Sequence, residues 1–273
     1  LIPDLLLAVD RAPGPALPHP AGIVRREIAP PAPAFVGRAD VVRIILALIE
    51  VAHLQGLQQL VVSGISGMGK TTVVREAMIR AQEGRGGGES RVVQLRIAGR
   101  TLALAMAELT AHAREMAPET GVDDDEDDDA VFLAALYAYL SSDTVEWVLM
   151  VDDVVGVDIW NALVALPGLA GSGGVMLGTS RTDADVWRAN GTPVMALPLL
   201  TSDEVRAMGG RLGVEVTEEI VAFCGARLGN HMLAVRLFLT RLQRGGDADA
   251  LMSSGEGVEA AMAGGLQHLQ GVR

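Results

Sequence analysis

One segment of the sequence has the residue types that bind phosphate groups: Gly64-Ile65-Ser66-Gly67-Met68-Gly69-Lys70-Thr71. Its glycines allow the backbone to curl so that consecutive N–H groups point inward at phosphate oxygens. The lysine would neutralise the β- and γ-phosphates, and the hydroxyl of Thr71 would bind Mg²⁺. The spacing therefore predicts a site for a purine nucleoside triphosphate or diphosphate together with magnesium.

The lysine in this segment stands out from the rest of the chain. Lys and Arg together number 22, and Lys70 is the one lysine among them. A compact ammonium fits among phosphate oxygens where a branched, planar guanidinium would not. The lysine at this position therefore indicates a specific chemical requirement, against a general preference for arginine.

Two carboxylates and an arginine follow two later apolar runs. Asp152 and Asp153 come directly after Val148–Val151, which reads as a strand buried on both faces, so the acids emerge where the sheet ends. We assign Asp152 to Mg²⁺, directly or through water, and Asp153 to orienting or deprotonating the attacking water. Arg181 follows the run Val175–Thr179 and is expected to contact the γ-phosphate and report its presence.

The elements that position these residues can be read from the hydrophobic pattern. Helical periodicity predicts helices at Val41–His53, Thr71–Ala81, Leu102–Met116, Val131–Leu140, Asp203–Leu212, Thr217–Leu228 and His231–Gln243. Short apolar runs predict strands at Leu57–Ser63, Arg91–Ile97, Trp147–Val151, Val175–Thr179 and Pro193–Leu197. A strand, a glycine loop and a helix in succession are the context that the phosphate motif requires. The expected fold is α/β, a P-loop NTPase parallel sheet with helices on both faces, followed by a small all-α subdomain.

The chain divides into three predicted regions. Residues 1–34 contain eight prolines between Pro3 and Pro33 and are expected to form a largely disordered linker. A nucleotide-binding domain is predicted at 35–198 and an apparently incomplete helical subdomain at 199–273. The acidic run Asp123–Asp129 is expected to be a solvated surface loop.

Composition limits the classes of partner. Hydrophobic residues make up 49% of the chain and aromatic residues 3%, which suits a core of small aliphatic side chains. The formal charge of −12 argues against electrostatic binding of nucleic acid or an anionic membrane. Cys224 is the one cysteine, so it has no internal disulfide partner. No signal peptide or membrane span is visible, and we expect a soluble, cytoplasmic protein.

With these residues in order, the chain resembles the NB-ARC nucleotide-binding domains of the STAND class. These are switch ATPases of plant resistance proteins, apoptotic scaffolds and some bacterial regulators. The resemblance covers roughly Ala34–Leu242 and is carried by Phe35–Arg38, Gly64–Thr72, Leu149–Val154, Gly178–Arg181, Leu197–Leu199 and Cys224–Ala234.

The resemblance implies an ATP/ADP switch in which ADP holds a closed state and ATP favours opening and oligomerisation. A ligand can drive such a change only by binding the two states differently. The nucleotide contacts that it implies are Val36 and Arg38 near the base or ribose, Gly64, Ser66, Gly67, Met68, Gly69, Lys70, Thr71 and Thr72 around the phosphates, and Met232 where the family has proline. It implies protein partners through flanking domains, and defence or cell-death signalling.

The chain departs from the family in three places. Ala39 stands where the family has glutamate, although Asp40 follows, and Met232 stands where it has a proline that packs near the nucleotide. The winged-helix subdomain is not visible before Arg273, and the surroundings of His268 do not resemble its histidine motif.

Other functions remain open on the sequence. A GTPase would need N-K-x-D, which a chain with one lysine in the phosphate motif cannot contain, and the transporter signature L-S-G-G-Q is absent. A ring-forming ATPase of the AAA+ type shares the same logic, although its usual second acid is Glu rather than Asp153. The remaining alternatives are a nucleotide-binding scaffold without turnover and the switch domain of a bacterial transcription regulator, with its DNA-binding module outside these residues.

Overall fold

The computed structural model describes residues 36–84, 91–121, 129–141, 145–166 and 173–253. The strands are β1 (Gln58–Ser63), β2 (Arg91–Ala98), β3 (Val145–Val154), β4 (Val175–Ser180) and β5 (Val194–Ala196). The helices are α1 (Ala39–Gln55), α2 (Lys70–Gly84), α3 (Leu102–Glu115), α4 (Ala117–Thr120), α5 (Asp129–Leu140), α6 (Val157–Val164), α7 (Ala184–Ala189), α8 (Ser202–Leu212), α9 (Glu218–Ala226), α10 (Met232–Gln243) and α11 (Ala248–Ser253). The proline-rich segment 1–34, most of the acidic run and His268 lie outside the described residues.

The five strands form one sheet in the order β2-β3-β4-β1-β5, and all neighbouring pairs are parallel. Parallel strands place all their carboxyl ends at one edge of the sheet. Ser63, the last residue of β1, pairs there with Ser180 of β4, and Ser180 pairs with Val154 of β3. The predicted α/β fold class, a P-loop NTPase-like parallel sheet with helices, is confirmed.

Three buried tryptophans fill the space around the sheet. Trp160 on α6 lies edge-on to Trp187 on α7, with ring centroids 6.2 Å apart and planes at 81°. The indole N–H of Trp160 donates to Gln59 Oε1 at 3.0 Å, which satisfies its one polar atom. A Cβ on Gly178 would lie 2.7 Å from the Trp160 ring, so this strand position requires a glycine.

The chain forms two compact units that do not follow the linear order of the sequence. Among the described residues, those within 40–63 and 74–196 form the sheet unit, and 36–39, 64–73 and 197–253 form the helical unit. The phosphate motif therefore packs with the C-terminal helices, although it is covalently inserted between β1 and α2. In the helical unit, Phe223 and Phe238 stack with centroids 4.9 Å apart over an apolar core.

The predicted helices and strands are all present, with differences in length. β3 continues to Val154 through an irregularity after Val151. The helices α4, α6, α7 and α11 went unpredicted, because elements of 4 to 8 residues carry too few turns for a clear period. Within the described part of the chain, no helix is both long and apolar enough to cross a bilayer.

Candidate functional site

The phosphate loop, residues Gly64–Gly69, lies between the end of β1 and the start of α2. Gly67 and Gly69 have φ angles of 78° and 84°, in the left-handed region that favours glycine. The carbonyl of Gly69 accepts the N–H of Val73 at 2.9 Å, so the helix begins directly from the loop. Met68 is buried in the structure. The loop thus presents backbone N–H groups at a helix N-terminus, which is an anion-binding arrangement.

Lys70 holds its charged group against this loop. Its Nζ donates to the carbonyl oxygens of Gly64 at 2.7 Å and Ile65 at 2.9 Å, and the residue is 9% exposed. Such a buried ammonium on backbone carbonyls concentrates positive charge at the loop. Thr71 and Thr72 follow in the first turn of α2, where both are half-buried.

Arg38 lies in the same helical unit and has unused hydrogen-bonding capacity. Its side chain is 2% exposed; Nη1 donates to the carbonyl of Leu199 at 3.4 Å, whereas Nε and Nη2 have no partner. Burial lowers the pKa of Arg38, and the charge of Glu204 opposes that shift. Buried donors without acceptors are costly, so Arg38 is suited to a ligand that supplies acceptor atoms. Val36, two residues before Arg38, belongs to the apolar core of the helical unit.

Glu204 organises the backbone around Arg38. Its Oε2 accepts from the Thr201 N–H at 2.8 Å while the Thr201 hydroxyl accepts from the Glu204 N–H, which is a capping box at the start of α8. Its Oε1 accepts from the Arg38 N–H at 3.2 Å. A Cβ on Gly37 would lie 2.0 Å from that oxygen. One carboxylate therefore caps a helix and fixes the Gly37–Arg38 turn.

The first turn of α10 contacts the phosphate loop within the helical unit. His231 Nε2 lies 2.8 Å from the carbonyl oxygen of Ser66. A Cβ on Gly67 would lie 2.8 Å from His231 Cε1 and 3.0 Å from Leu233 Cβ, and one on Gly69 would lie 3.7 Å from Met232 Cε. Gly67 is thus required for close approach as well as for its φ angle, whereas a Cβ on Gly69 would make an ordinary van der Waals contact.

In the sheet unit, a single hydroxyl orients the two carboxylates at the end of β3. Thr179 Oγ1 donates to Asp152 Oδ1 at 2.7 Å and accepts from the Asp153 N–H at 2.9 Å. Asp153 has a φ of 59°, within the irregularity that separates Val151 from Val154 in the pairing with β4. The bulge turns both acids out at the carboxyl edge of the sheet.

Asp153 is held by two arginines. Arg181 Nε and Nη2 donate to its Oδ1 at 2.8 Å and its Oδ2 at 2.6 Å, and Arg100 Nε lies 3.3 Å from Oδ2. The hydrogen bond with Asp153 and its charge raise the pKa of Arg181. The residues predicted as base and γ-phosphate sensor are therefore bound to each other.

Positive charge exceeds negative charge around these acids. Arg96 Nη2 donates to Asp152 Oδ2. Burial lowers the pKa of Arg75, the charge of Arg96 lowers it further, and the charge of Asp152 opposes both effects. Among the described residues, four arginines interact with the two aspartates: Arg75, Arg96, Arg100 and Arg181. An edge with this surplus suits an anion such as phosphate.

Comparison with known protein families assigns the chain to one of them. A family model described as the AAA ATPase domain matches residues 34–177, which is more than half of the chain. The chain belongs to this family. A search of curated proteins gave no significant match.

Solved structures of other proteins have a fold similar to that of this chain. Cdc6p from Pyrobaculum aerophilum has a TM-score of 0.55 and 15% sequence identity over 78% of this chain and 64% of that chain. Drosophila ORC bound to DNA has a TM-score of 0.55 and 17% identity over 92% and 70%. The ORC2 protein of Aeropyrum pernix in ADPNP-ADP complexes has a TM-score of 0.54 and 14% identity over 84% and 69%. The chain spans less than two thirds of the length of Cdc6p.

The candidate metal ligands of this chain suit magnesium, which needs few protein ligands, better than a metal that is bound by protein side chains alone. The described residues contain no group of three or more His, Cys, Asp or Glu side chains able to hold a metal ion. Magnesium usually takes one or two protein oxygens and completes its shell with water and phosphates. The hydroxyl of Thr71 in the helical unit and the carboxylate of Asp152 in the sheet unit are each an oxygen donor of that kind.

The predicted site residues fall into two groups, one in each unit. Val36, Arg38, the phosphate loop with Lys70 to Thr72, and Met232 belong to the helical unit, and Asp152, Asp153 and Arg181 belong to the sheet unit. The structure adds residues that the sequence reasoning missed: Arg75, Arg96, Arg100, Thr179, Glu204 and His231. The pattern Thr201-x-x-Glu204 was a visible capping signal, whereas the others depend on contacts between residues distant in sequence.

Proposed function

We propose that this AAA ATPase domain is an ADP/ATP-binding switch of the NB-ARC type that controls a signalling protein. The observation that carries the proposal is the single lysine of the chain, whose ammonium donates to Gly64 and Ile65 within a glycine loop at the start of a helix. A cation and backbone N–H groups gathered in this way favour the phosphates of a nucleotide.

The base and ribose would bind near Arg38 and Met232. The unpaired Nε and Nη2 of Arg38 could donate to ring nitrogens of a purine or to ribose oxygens. Val36 and Met232 offer apolar surface within the same unit. Met232 would occupy the position of the proline in NB-ARC domains, and its side chain is more flexible than proline.

Magnesium would be held by Thr71 and Asp152 together with phosphate oxygens of the nucleotide. When bound, it would neutralise charge on the β- and γ-phosphates. Thr179 would keep the Asp152 carboxylate oriented for this role, because its hydroxyl donates to Oδ1 at 2.7 Å.

The ion pair between Arg181 and Asp153 favours a switch with slow turnover over a fast catalyst. Both oxygens of Asp153 accept from Arg181, so an attacking water must compete for them. A γ-phosphate offers Arg181 an alternative partner, and ADP does not. Exchange of one partner for the other would give ATP and ADP different interactions with the protein, which is what a switch requires.

The wider role follows from the resemblance and from the charge. We propose a cytoplasmic signalling protein with protein partners bound through flanking domains, with nucleotide-dependent oligomerisation, and with a role in defence or cell death. One structural neighbour is ORC bound to DNA. The charge of −12 argues against direct nucleic-acid binding by this chain.

A second candidate, an ATPase with repeated fast turnover, is favoured by the acid pair at the end of β3. Calorimetry of ADP and ATP with Mg²⁺, combined with phosphate release under multiple turnover, distinguishes the two. The switch predicts micromolar or tighter binding, unequal affinities for ADP and ATP, and hydrolysis slower than about 10⁻² s⁻¹. Equal affinities with hydrolysis above about 1 s⁻¹ would favour the turnover enzyme.

A further inference from the structure

His231 connects two parts of the helical unit that are far apart in the sequence. It is the N-cap of α10, where its Nδ1 accepts the N–H of Ala234 at 3.4 Å. Its Nε2 lies 2.8 Å from the carbonyl oxygen of Ser66 in the phosphate loop. The side chain is buried, so these two contacts define its environment with little competition from water.

The two contacts require one protonation state of the imidazole. A carbonyl oxygen can only accept, so Nε2 must carry a proton and donate to Ser66. The Ala234 N–H can only donate, so Nδ1 must keep its lone pair. Only the neutral Nε2–H tautomer satisfies both groups, because an imidazolium has no acceptor nitrogen.

This tie determines the direction of the peptide between Ser66 and Gly67. In a trans peptide the C=O and the following N–H point in opposite directions, and the described residues contain no cis peptide. Fixing the Ser66 carbonyl on His231 therefore turns the Gly67 N–H away from α10. Gly67 adopts a φ of 78°, as expected where consecutive N–H groups form an anion-binding concavity.

We propose that His231 is a positioning residue of the phosphate loop, which aims the Gly67 N–H at a nucleotide phosphate by holding the Ser66 carbonyl. The proposal rests on nucleotide binding by this loop, as proposed above. The same imidazole satisfies a donor at the start of α10, so phosphate binding and the order of that helix are linked through one side chain. Met232 stands where NB-ARC domains have proline. Because His231 holds the loop, Met232 need not supply the rigidity of that proline.

Two substitutions separate the role at the loop from the role at the helix. Asn is a strong N-cap, so His231→Asn keeps the cap of α10, but its amide is too short to reach Ser66. Gln is a poorer N-cap, but in His231→Gln the amide N–H extends to the position of Nε2 and can donate to Ser66. The two variants therefore lose opposite halves of the connection.

The experiment measures Mg²⁺–ADP binding by calorimetry and urea unfolding for the wild-type chain and both variants. We expect His231→Gln to bind ADP within about threefold of wild type and His231→Asn to bind about tenfold more weakly, the effect of one lost hydrogen bond. Wild-type affinity in His231→Asn, or affinity losses in both variants that follow their losses of stability, would overturn the positioning role and leave the proposed function intact. A folded wild type that does not bind ADP would overturn both.

A second measurement reads the protonation of His231 in the wild-type chain. Long-range ¹H–¹⁵N spectra of the ADP complex report which imidazole nitrogen carries the proton, and His231→Gln identifies the signal among the 5 histidines. The neutral Nε2–H tautomer is expected. An Nδ1–H tautomer or an imidazolium at neutral pH would contradict the proposal.

Discussion

Arg181 and Asp153 form a two-point ion pair, with Nε and Nη2 of the guanidinium donating to Oδ1 at 2.8 Å and Oδ2 at 2.6 Å. The side chains are 56% and 26% exposed, so water screens the pair and it contributes little to folding. The fork geometry nevertheless fixes the direction of both groups. The pair is therefore better suited to control of the site than to stability.

Replacing Arg181 should affect ATP more than ADP. We expect Arg181→Ala to weaken ATP binding about tenfold, the size of one charge-assisted hydrogen bond, and to leave ADP binding within about twofold. Arg188→Ala is a matched control, because Arg188 is also 56% exposed and is paired with Asp185 on α7. Calorimetry of both nucleotides tests this, and an equal loss for ADP and ATP would rule out γ-phosphate sensing by Arg181.

Replacing Asp153 should separate hydrolysis from binding. Asn is tolerated at positive φ, so Asp153→Asn should keep the backbone at 59° without added strain. We expect the variant to lose about 100-fold in the hydrolysis rate and to retain ADP affinity. Single-turnover phosphate release measures the rate. A measurable rate unchanged from wild type would mean that Asp153 orients no water, whereas no turnover in the wild type itself would favour a scaffold.

Local sequence signals were sufficient for the sheet and for the phosphate loop. The apolar run Val148–Val151, followed by two acids, predicted where β3 would place its carboxylates, because parallel strands share one carboxyl edge. The partners of those acids were not predictable in the same way. Arg96 lies in β2 and Arg100 follows it, and their contacts with Asp152 and Asp153 depend on the pairing of β2 with β3.

Gly67→Ala should cost more than an alanine at another left-handed glycine. Gly56 has a φ of 79°, and a Cβ added there would meet nothing within 4 Å, so Gly56→Ala reports only the backbone cost of about 1–2 kcal/mol. At Gly67, a Cβ would also meet His231 at 2.8 Å. We expect Gly67→Ala to unfold at lower urea than Gly56→Ala and to weaken ADP binding tenfold or more, about 1.4 kcal/mol. Equal effects of the two substitutions would show that the loop does not pack on α10.

Cys224 should be unreactive in the folded chain. Burial raises the pKa of its thiol to about 12 and keeps it in the core of the helical unit. A thiol reagent at pH 8 should therefore react only through opening of this unit, far more slowly than in urea. The pKa of the Cys224 thiol is higher in the folded chain than its ordinary value of 9.0. The free energy of unfolding should therefore be fully retained below pH 9.0 and should decline as the pH rises from there towards about 12.

The same thiol can report nucleotide binding. The phosphate loop belongs to the helical unit, so ADP at 100 times its Kd should slow labelling of Cys224 about 100-fold. Lys70→Ala should remove this protection, so that labelling of the variant is the same with and without ADP. Labelling that ADP does not slow in the wild type would show that nucleotide does not stabilise this unit.

The helical unit was the least predictable part of the site. Its helices follow from periodicity and from the N-caps Thr201 and Thr217, which carry visible signals. The assembly of Arg38 with Glu204, and of Ser66 with His231, joins residues more than 160 positions apart. No local pattern encodes such pairs, because they arise from packing of the whole unit.

The central claim is that Lys70 and its glycine loop bind nucleotide phosphates. Its most direct test is calorimetry of Mg²⁺–ADP with the wild-type chain, Lys70→Ala and Lys70→Arg. We predict micromolar or tighter binding that both substitutions abolish, because a planar guanidinium cannot take the place of the ammonium between Gly64 and Ile65. No binding by the folded wild type, or binding that survives Lys70→Ala, would contradict the account.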